Sequence, residues 1–420
     1  MTRTMLMDNV YLTYLPSEKF KTSLLSAQMV TPLDKKTAGL NALLVNVLDR
    51  GTVSFPDMTA INRELDMLYG ARLKPTVRKM GENHVFGFLA SCIDNKLLPP
   101  GEKVLEALAD MMGEMFIGPA TKNGRLDIDY MESERANLVD YLKSEMNDKG
   151  TYAGLRLMEE MCGSEPYGVH RLGDVREVER ISLQKLNKHY QTILPKARLE
   201  LFYCGSAEEK RVVGTFTRAF AALPRQGCIQ PAITEIRHGS DHFRKVMETM
   251  DVTQGKLSIG YRTTYADTAA NMVMNVMFGG MNGKLFRYVR EKLSLCYYCS
   301  SSYHRRKGLL TVSSGIQPSN YQKALSAIEE QLRAMQEGKW EPWEFDSAVA
   351  YLLNDLRTAE DSAAAMENFI MGQAVAGSDE TLYGLMDAIR AVTPEKVMEA
   401  ARALEPDTIY FLKGKEEHHE

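Results

Sequence analysis

Two tandem α+β repeats, each a mostly antiparallel sheet with helices packed on one side, are what this 420-residue sequence predicts. Three observations carry that expectation: a duplicated helix–strand signature, further matches in the same order, and an unmatched connecting segment. The signature is Ile181–Gly205, ISLQKLNKHYQTILPKARLELFYCG, against Val392–Gly414, VTPEKVMEAARALEPDTIYFLKG. Each runs from a hydroxyl N-cap (Ser182, Thr393) through an amphipathic helix and a Pro into a strand ending at Gly. A Ser or Thr oxygen satisfies amide donors left free at a helix start, which is why that residue type recurs there.

Upstream, Val139-Asp140-Tyr141-Leu142 matches Val349-Ala350-Tyr351-Leu352, and Ala42–Leu48 (ALLVNVL) matches Asn271–Met277 (NMVMNVM). Matches in one order imply duplication of a unit about 200 residues long. The segment Ala221–Asp241 has no counterpart at the C-terminus and carries Pro and Gly with little periodicity, so it reads as a linker. The expected division is therefore residues 1–220, linker 221–241 and residues 242–420. Within the repeats, strands such as Leu199–Tyr203 and Leu309–Ser313 alternate with long helices. One helix spans Tyr321–Gln336, where Ala324, Leu325, Ile328, Leu332 and Met335 form one apolar stripe. Sheets with helices stacked on them are the stable way to bury such stripes.

Composition narrows the function classes. A net charge of −4 gives no electrostatic footprint for nucleic acid. No run of about 18 apolar residues is present, so no membrane helix is expected. The first twenty residues lack the apolar core and cleavage site of a signal peptide, and a cytoplasmic protein is expected. The 25 Met read as pliable core filler, and the six scattered Cys as buried thiols in a reducing compartment.

Four local motifs invite chemical readings. The Gly-rich stretch Phe278–Tyr298 lacks the spacing of a phosphate loop: three residues separate Gly279 from Gly283, and Leu285 follows Lys284. Cys296 and Cys299 form a CxxC within a strand-like segment, where residues three apart point to opposite faces and neither bridge nor share a metal. His238 and His242 have the helical chelate spacing, but the intervening Gly and Ser disfavour a helix. The C-terminal Glu416–Glu420 reads as a charged tail.

The stretch from Gly279 to Tyr298 resembles the second half of the insulinase-like (pitrilysin, M16) zinc metallopeptidases, in the bacterial and mitochondrial-processing branch. The resemblance rests on Gly279, Gly280 and Gly283, then Leu285-Phe286, Arg290-Glu291-Lys292, and Leu295 with Tyr297. In active members of that family the first half carries an inverted zinc motif, His-x-x-Glu-His, on a helix. The frame around that motif survives as Gly39-Leu40 and Leu48-Asp49-Arg50-Gly51-Thr52. The motif positions themselves fall on Ala42, Leu43, Leu44, Val45 and Asn46, so both His and the Glu are absent. The helix starting Glu134-Arg135 places Tyr141 where the family has its third ligand. Ala and Val offer no lone pair, and Asn is a poor zinc ligand.

The resemblance assigns Arg290 and Tyr297 to hydrogen bonding with a peptide near a zinc held by another repeat. Arg brings a fixed fork of donors, and Tyr a hydroxyl on a rigid ring. Gly279, Gly280 and Gly283 let a peptide backbone approach, or serve the turn itself; both readings stand. The expectation is a zinc-less subunit that lends chamber wall and the Arg/Tyr pair to an active, zinc-bearing partner with intact His-x-x-Glu-His. Two other expectations stay open. One is a peptide-binding or scaffold protein without a peptidase partner; the other is a self-contained metal-dependent peptidase with different ligands.

Overall fold

The computed structural model describes residues 1–239 and 243–414. From the N-terminus, strands β1 (Thr2–Met7), β2 (Val10–Pro16) and β3 (Thr22–Pro32) lead into helices α1 (Lys35–Leu48) and α2 (Met58–Met67). The hairpin β4 (Arg72–Met80) and β5 (Asn83–Ile93) follows, then α3 (Val104–Ile117) and the short pair β6 (Thr121–Lys122) and β7 (Arg125–Leu126). Helices α4 (Ile128–Ser144), α5 (Lys149–Cys162), α6 (Val175–Glu179) and α7 (Leu183–Ile193) precede β8 (Arg198–Gly205) and α8 (Glu209–Ala219). Residues 221–239 hold no helix or strand; they meet strand ends through the bridge Ala197–Ile229, through hydrogen bonds between Asn83 and Ala232, and through the bonds of His238 and Gly239 to Glu405.

Beyond them come β9 (Arg244–Met250), β10 (Gly255–Arg262) and α9 (Thr268–Gly279), a π-helical turn at Leu285–Lys292, then β11 (Cys296–His304) and β12 (Leu309–Ile316). Helices α10 (Tyr321–Gln336), α11 (Pro342–Ala359), α12 (Ala363–Ala376), α13 (Leu382–Arg390) and α14 (Pro394–Arg402) end in β13 (Glu405–Gly414). The caps are those expected: Ser182 accepts from the Lys185 amide, and Thr393 from the Lys396 amide.

The duplication is written in the sheets. The first runs β1-β2-β8-β3-β5-β4 and the second β9-β13-β10-β12-β11. Every neighbouring pair is antiparallel except one in each, β2 with β8 and β9 with β13. Strand by strand, β2, β8, β3, β5 and β4 correspond to β9, β13, β10, β12 and β11.

Compact packing units cut across the order of the chain. One comprises residues 1–143, 169–233 and 360–378; the other comprises 144–168, 234–359 and 379–420. Alternate residues of a strand face opposite sides of its sheet. In the first unit Leu25, Ala27 and Met29 of β3 therefore join the large core containing α1, α3 and α8, while Leu24 and Val30 turn to the other side. There α12, supplied by the second half of the sequence, lays down Ile370, Met371 and Val375. In the second unit α5, supplied by the first half, packs Ala153, Leu157 and Met161 against Leu309, Tyr410 and Leu412.

A buried carboxylate fixes each exchanged segment. Glu367 of α12 is 1% exposed and accepts two hydrogen bonds from Arg78, at 2.6 and 2.9 Å, and one from Ser26 at 2.9 Å. Glu165, just beyond α5, pairs with Arg262 and Lys307, each at 2.6 Å, and Arg262 also reaches Asp407 at 2.7 Å. Burial pushes the pKa of Glu165 up, but the bonds from Arg262 and Lys307 outweigh it and hold the carboxyl below its ordinary value. Removing one member of such a pair leaves a buried charge uncompensated and costs about 3–5 kcal/mol. The sequence repeat and the packed unit are thus different divisions of this chain.

Candidate functional site

Helix α1 starts at Asp34, whose carboxylate accepts from the Lys36 amide at 2.7 Å, and is apolar on nearly every side. A helix that is hydrophobic all round belongs inside a protein. Ala42 and Val45 are 0% exposed within the first core, and Asn46 is half-buried. The surviving frame is occupied by ion pairing: Arg50 donates to Glu134 at 2.7 Å, on the helix that also carries Tyr141. Burial, then the nearby Glu134 charge, pushes the neighbouring Asp49 carboxyl up to about 7. Tyr141 is 49% exposed, its hydroxyl at 3.5 Å from an Arg171 guanidinium nitrogen. Two saturated side chains, an amide and a phenol do not make a zinc site. Among the described residues, no group of three or more His, Cys, Asp or Glu is placed to hold a metal ion.

The chemistry that α1 does contain lies one residue earlier. Asn41, 0% exposed, donates through Nδ2 to His84 Nδ1 at 3.0 Å, and its Oδ1 accepts from His189 Nε2 at 2.6 Å. These bonds fix both tautomers: His84 carries its proton on Nε2, and so does His189. Burial pushes His84 down to about 4 and His189 to about 4, so both are neutral near pH 7. His170 is also lowered to about 4, by burial and then by Arg171. The signal available in the sequence was an Asn inside an otherwise apolar helix, since a buried polar side chain needs partners.

The second half treats its equivalent helix differently. Its buried Asn271 donates to the backbone carbonyls of Tyr265 and Asp267, at 3.0 and 3.1 Å, and no His among the described residues is bonded to it. The turn after α9 is built from glycine because its own chain fills the space. A Cβ on Gly279 would lie 2.3 Å from the Ser301 amide nitrogen, and one on Gly283 2.8 Å from the Gly280 nitrogen. At Gly280 a Cβ would meet the Val276 carbonyl at 2.6 Å. Packing within the chain thus gives each of the three a reason.

Beyond that turn, Arg290 closes the π-helical segment, exposed and stacked over the Phe286 ring at 4.7 Å. Ser294 adopts a left-handed backbone, φ 51°, and the chain enters the edge strand β11. Tyr297 is 58% exposed and its hydroxyl accepts from Gln317 at 2.9 Å. Both side chains of the Arg/Tyr pair are therefore exposed to solvent.

One expectation is overturned here. Cys296 pairs with Ile316 and Tyr298 with Gly315, so two steps along β11 meet one along β12 and Tyr297 is the extra residue of a β-bulge. The bulge cancels the alternation that would separate residues three apart: Cys296 lies opposite Ile316 and Cys299 opposite Ser314, two residues apart on β12 and so on one face. The strand pattern alone pointed them to opposite faces. His238 lies in the linker, bonded to Glu405 at 2.9 Å, while its proposed mate His242 and the tail 416–420 lie outside the described residues. No helix among the described residues is long and apolar enough to cross a membrane.

Comparison with known proteins gives a consistent picture. Residues 180–352 match the family model described as the peptidase M16 inactive domain. A Bacillus subtilis (strain 168) protein named "Probable inactive metalloprotease YmfF" is 34% identical over 407 residues, covering 95% of each chain. An uncharacterized zinc protease of Streptomyces coelicolor is 23% identical over 70% of this chain and 65% of its own. Among solved structures, a conserved protein from Enterococcus faecalis V583 superposes with a TM-score of 0.91 at 28% identity, covering 99% of this chain and 98% of that one. A peptidase M16 inactive domain from Pseudomonas fluorescens shares the fold, with a TM-score of 0.78 at 16% identity, over 99% of this chain and 98% of that one.

Proposed function

Since this chain belongs to the M16 peptidase family and its motif helix carries no zinc ligands, we propose that it is the zinc-less subunit of a two-chain peptidase. The observation that carries this reading is the sealing of Ala42 and Val45 in the core while Arg290 and Tyr297 stay exposed beyond an intact glycine turn. In this reading an active partner with intact His-x-x-Glu-His supplies zinc and general base. This chain supplies chamber wall and hydrogen bonds to the peptide: charge-assisted donors from Arg290 and a hydroxyl from Tyr297. The turn formed by Gly279, Gly280 and Gly283 sets the backbone from which that pair projects. The site of action is the cytoplasm, and the substrate is an extended peptide, whose carbonyl oxygens suit such donors.

The test is reconstitution with the M16 subunit encoded nearest to it that has an intact zinc motif. Cleavage of an unstructured peptide is expected from the pair and not from this chain alone. One or two hydrogen bonds to a reacting peptide are worth about 10- to 150-fold in kcat/KM. Arg290→Ala and Tyr297→Phe should each lower the pair's kcat/KM within that range and leave assembly intact. Any share specific to the transition state appears in kcat, where donors act on developing oxyanion charge. An unchanged kcat/KM in both variants, or robust cleavage by the isolated chain, overturns the proposal.

A further inference from the structure

The bulge at Tyr297 brings together two thiols that the sequence pattern keeps apart, and their surroundings differ in a useful way. Cys299 is 3% exposed, whereas Cys296 is half-buried at the start of the edge strand and open to small molecules. The Cys296 thiol is pushed down to about 7, chiefly by its hydrogen bond with Cys299 and further by Ser314 and the Arg290 charge. Cys299 is pushed up by the same bond, then by burial. The other cysteines lack this setting: burial raises Cys92 to about 12 and Cys204 to about 11, Cys162 is buried, and Cys228 stands exposed in the linker. A nucleophilic thiol beside a cation, partly exposed and backed by a second thiol, is the arrangement that undergoes thiol–disulfide exchange.

We propose that Cys296 and Cys299 are a reversible oxidation site, with Cys296 attacking small-molecule disulfides and Cys299 resolving the adduct into an internal bridge across the Tyr297 bulge. In the first step Cys296 Sγ forms a bond to one sulfur of a disulfide R–S–S–R, and the other sulfur leaves as RS⁻. In the second, Cys299 Sγ attacks Cys296 Sγ and expels the second RS⁻; the protons given up by Cys296 and Cys299 end on the two departing thiolates, which leave as two RSH. The two protein thiols lose two electrons and the small disulfide gains them. A bridge needs Cα atoms within about 7 Å, which an unbulged strand denies to residues three apart and a bulge permits. Bridge formation is independent of whether Tyr297 touches peptide.

The experiment uses the full chain with Cys228→Ser, which removes the exposed competitor. Folded protein is exposed to oxidised glutathione, unfolded, alkylated and digested with trypsin. The peptide Leu293–Arg305, which contains both cysteines, is expected two hydrogens lighter and without alkyl groups, and dithiothreitol should restore both. In Cys299→Ser the reaction should stop as a glutathione adduct on Cys296. In Cys296→Ser, modification of Cys299 should be at least about tenfold slower than that of Cys296, since it is neither exposed nor activated. A peptide that stays fully alkylatable overturns the proposal. So does a glutathione adduct that persists on Cys296 in protein retaining Cys299. Cys299→Ala gives the same reading should the Ser variant fold poorly.

Discussion

Helices α1 and α9 follow equivalent central strands, β3 and β10, yet one is sealed and silent while the other leads to an exposed polar pair. Around α1 the motif positions hold Ala42 and Val45 within a continuous apolar core, and the remaining polarity is turned inward onto Asn41, His84 and His189. Around α9 the buried Asn271 donates its amide N–H groups to backbone carbonyls, and the chemistry-bearing side chains lie beyond the glycine turn, on the surface. The difference teaches that the absence of zinc ligands on α1 goes with a packing state. A pocket whose ligands are replaced by hydrocarbon closes, because apolar contact recovers what an empty polar cavity would lose. Exposed residues such as Arg290 and Tyr297 are under no such pressure from folding.

Rebuilding the motif should break α1 most severely. Ala42→His, Val45→Glu and Asn46→His together force two bulky polar groups into fully buried positions, and the third carboxylate ligand is still missing. The expected cost is roughly 3–5 kcal/mol, read by chemical denaturation. Zinc after dialysis should stay well below one per chain, with no peptide cleavage. Near-native stability with one zinc bound would show that the pocket is merely empty and not closed.

Acid should separate the two helices next. His84 has its folded value lowered to about 4 from 6.5, so the unfolded state takes up the proton first as pH falls. Its stabilising contribution is complete above pH 6.5 and is lost between 6.5 and 4, a change of about 3 kcal/mol. His170 and His189 act in the same direction. Asp49 opposes them: raised to about 7, it binds a proton in the folded state first and adds stability over the same interval. Asp49→Asn removes that compensation, so its stability should fall more steeply between pH 6.5 and 4 than that of the native chain. Amides of α1 should lose hydrogen-exchange protection in this window before those of α9, whose Asn271 depends on carbonyls that do not titrate. Equal loss in the two helices would show that the His cluster does not support α1.

The smallest effect is expected at the surface pair. Arg290→Ala and Tyr297→Phe remove groups that face solvent, and should change stability by no more than about 0.5 kcal/mol. A thermal melt checks this, in the same preparations used for reconstitution. A loss of several degrees in either variant would identify that side chain as structural.

The sequence by itself determined every feature whose cause is local. Ser182 and Thr393 cap helices because their partners are three residues away, and the Tyr321–Gln336 stripe buries one face because its spacing is helical. The absence of the motif's His and Glu at Ala42, Val45 and Asn46 was legible because hydrocarbon side chains offer no lone pair in any fold and an amide is a poor zinc ligand. The repeat was legible because duplicated topology leaves duplicated signatures, and the sheets carry it as the same strand order with one parallel pair each. Only the tertiary structure decided what depends on partners far along the chain. The exchange of residues 144–168 and 360–378 rests on Glu165 meeting Arg262 and on Glu367 meeting Arg78, pairs that no periodicity encodes. Asn41 finds His84 and His189 across two other elements for the same reason. The bulge at Tyr297 reverses a face assignment that alternation alone makes wrongly, since one extra residue shifts every later side chain to the other side. Local propensity fixes which elements form; the long-range need to satisfy buried charge and fill space fixes which of them meet.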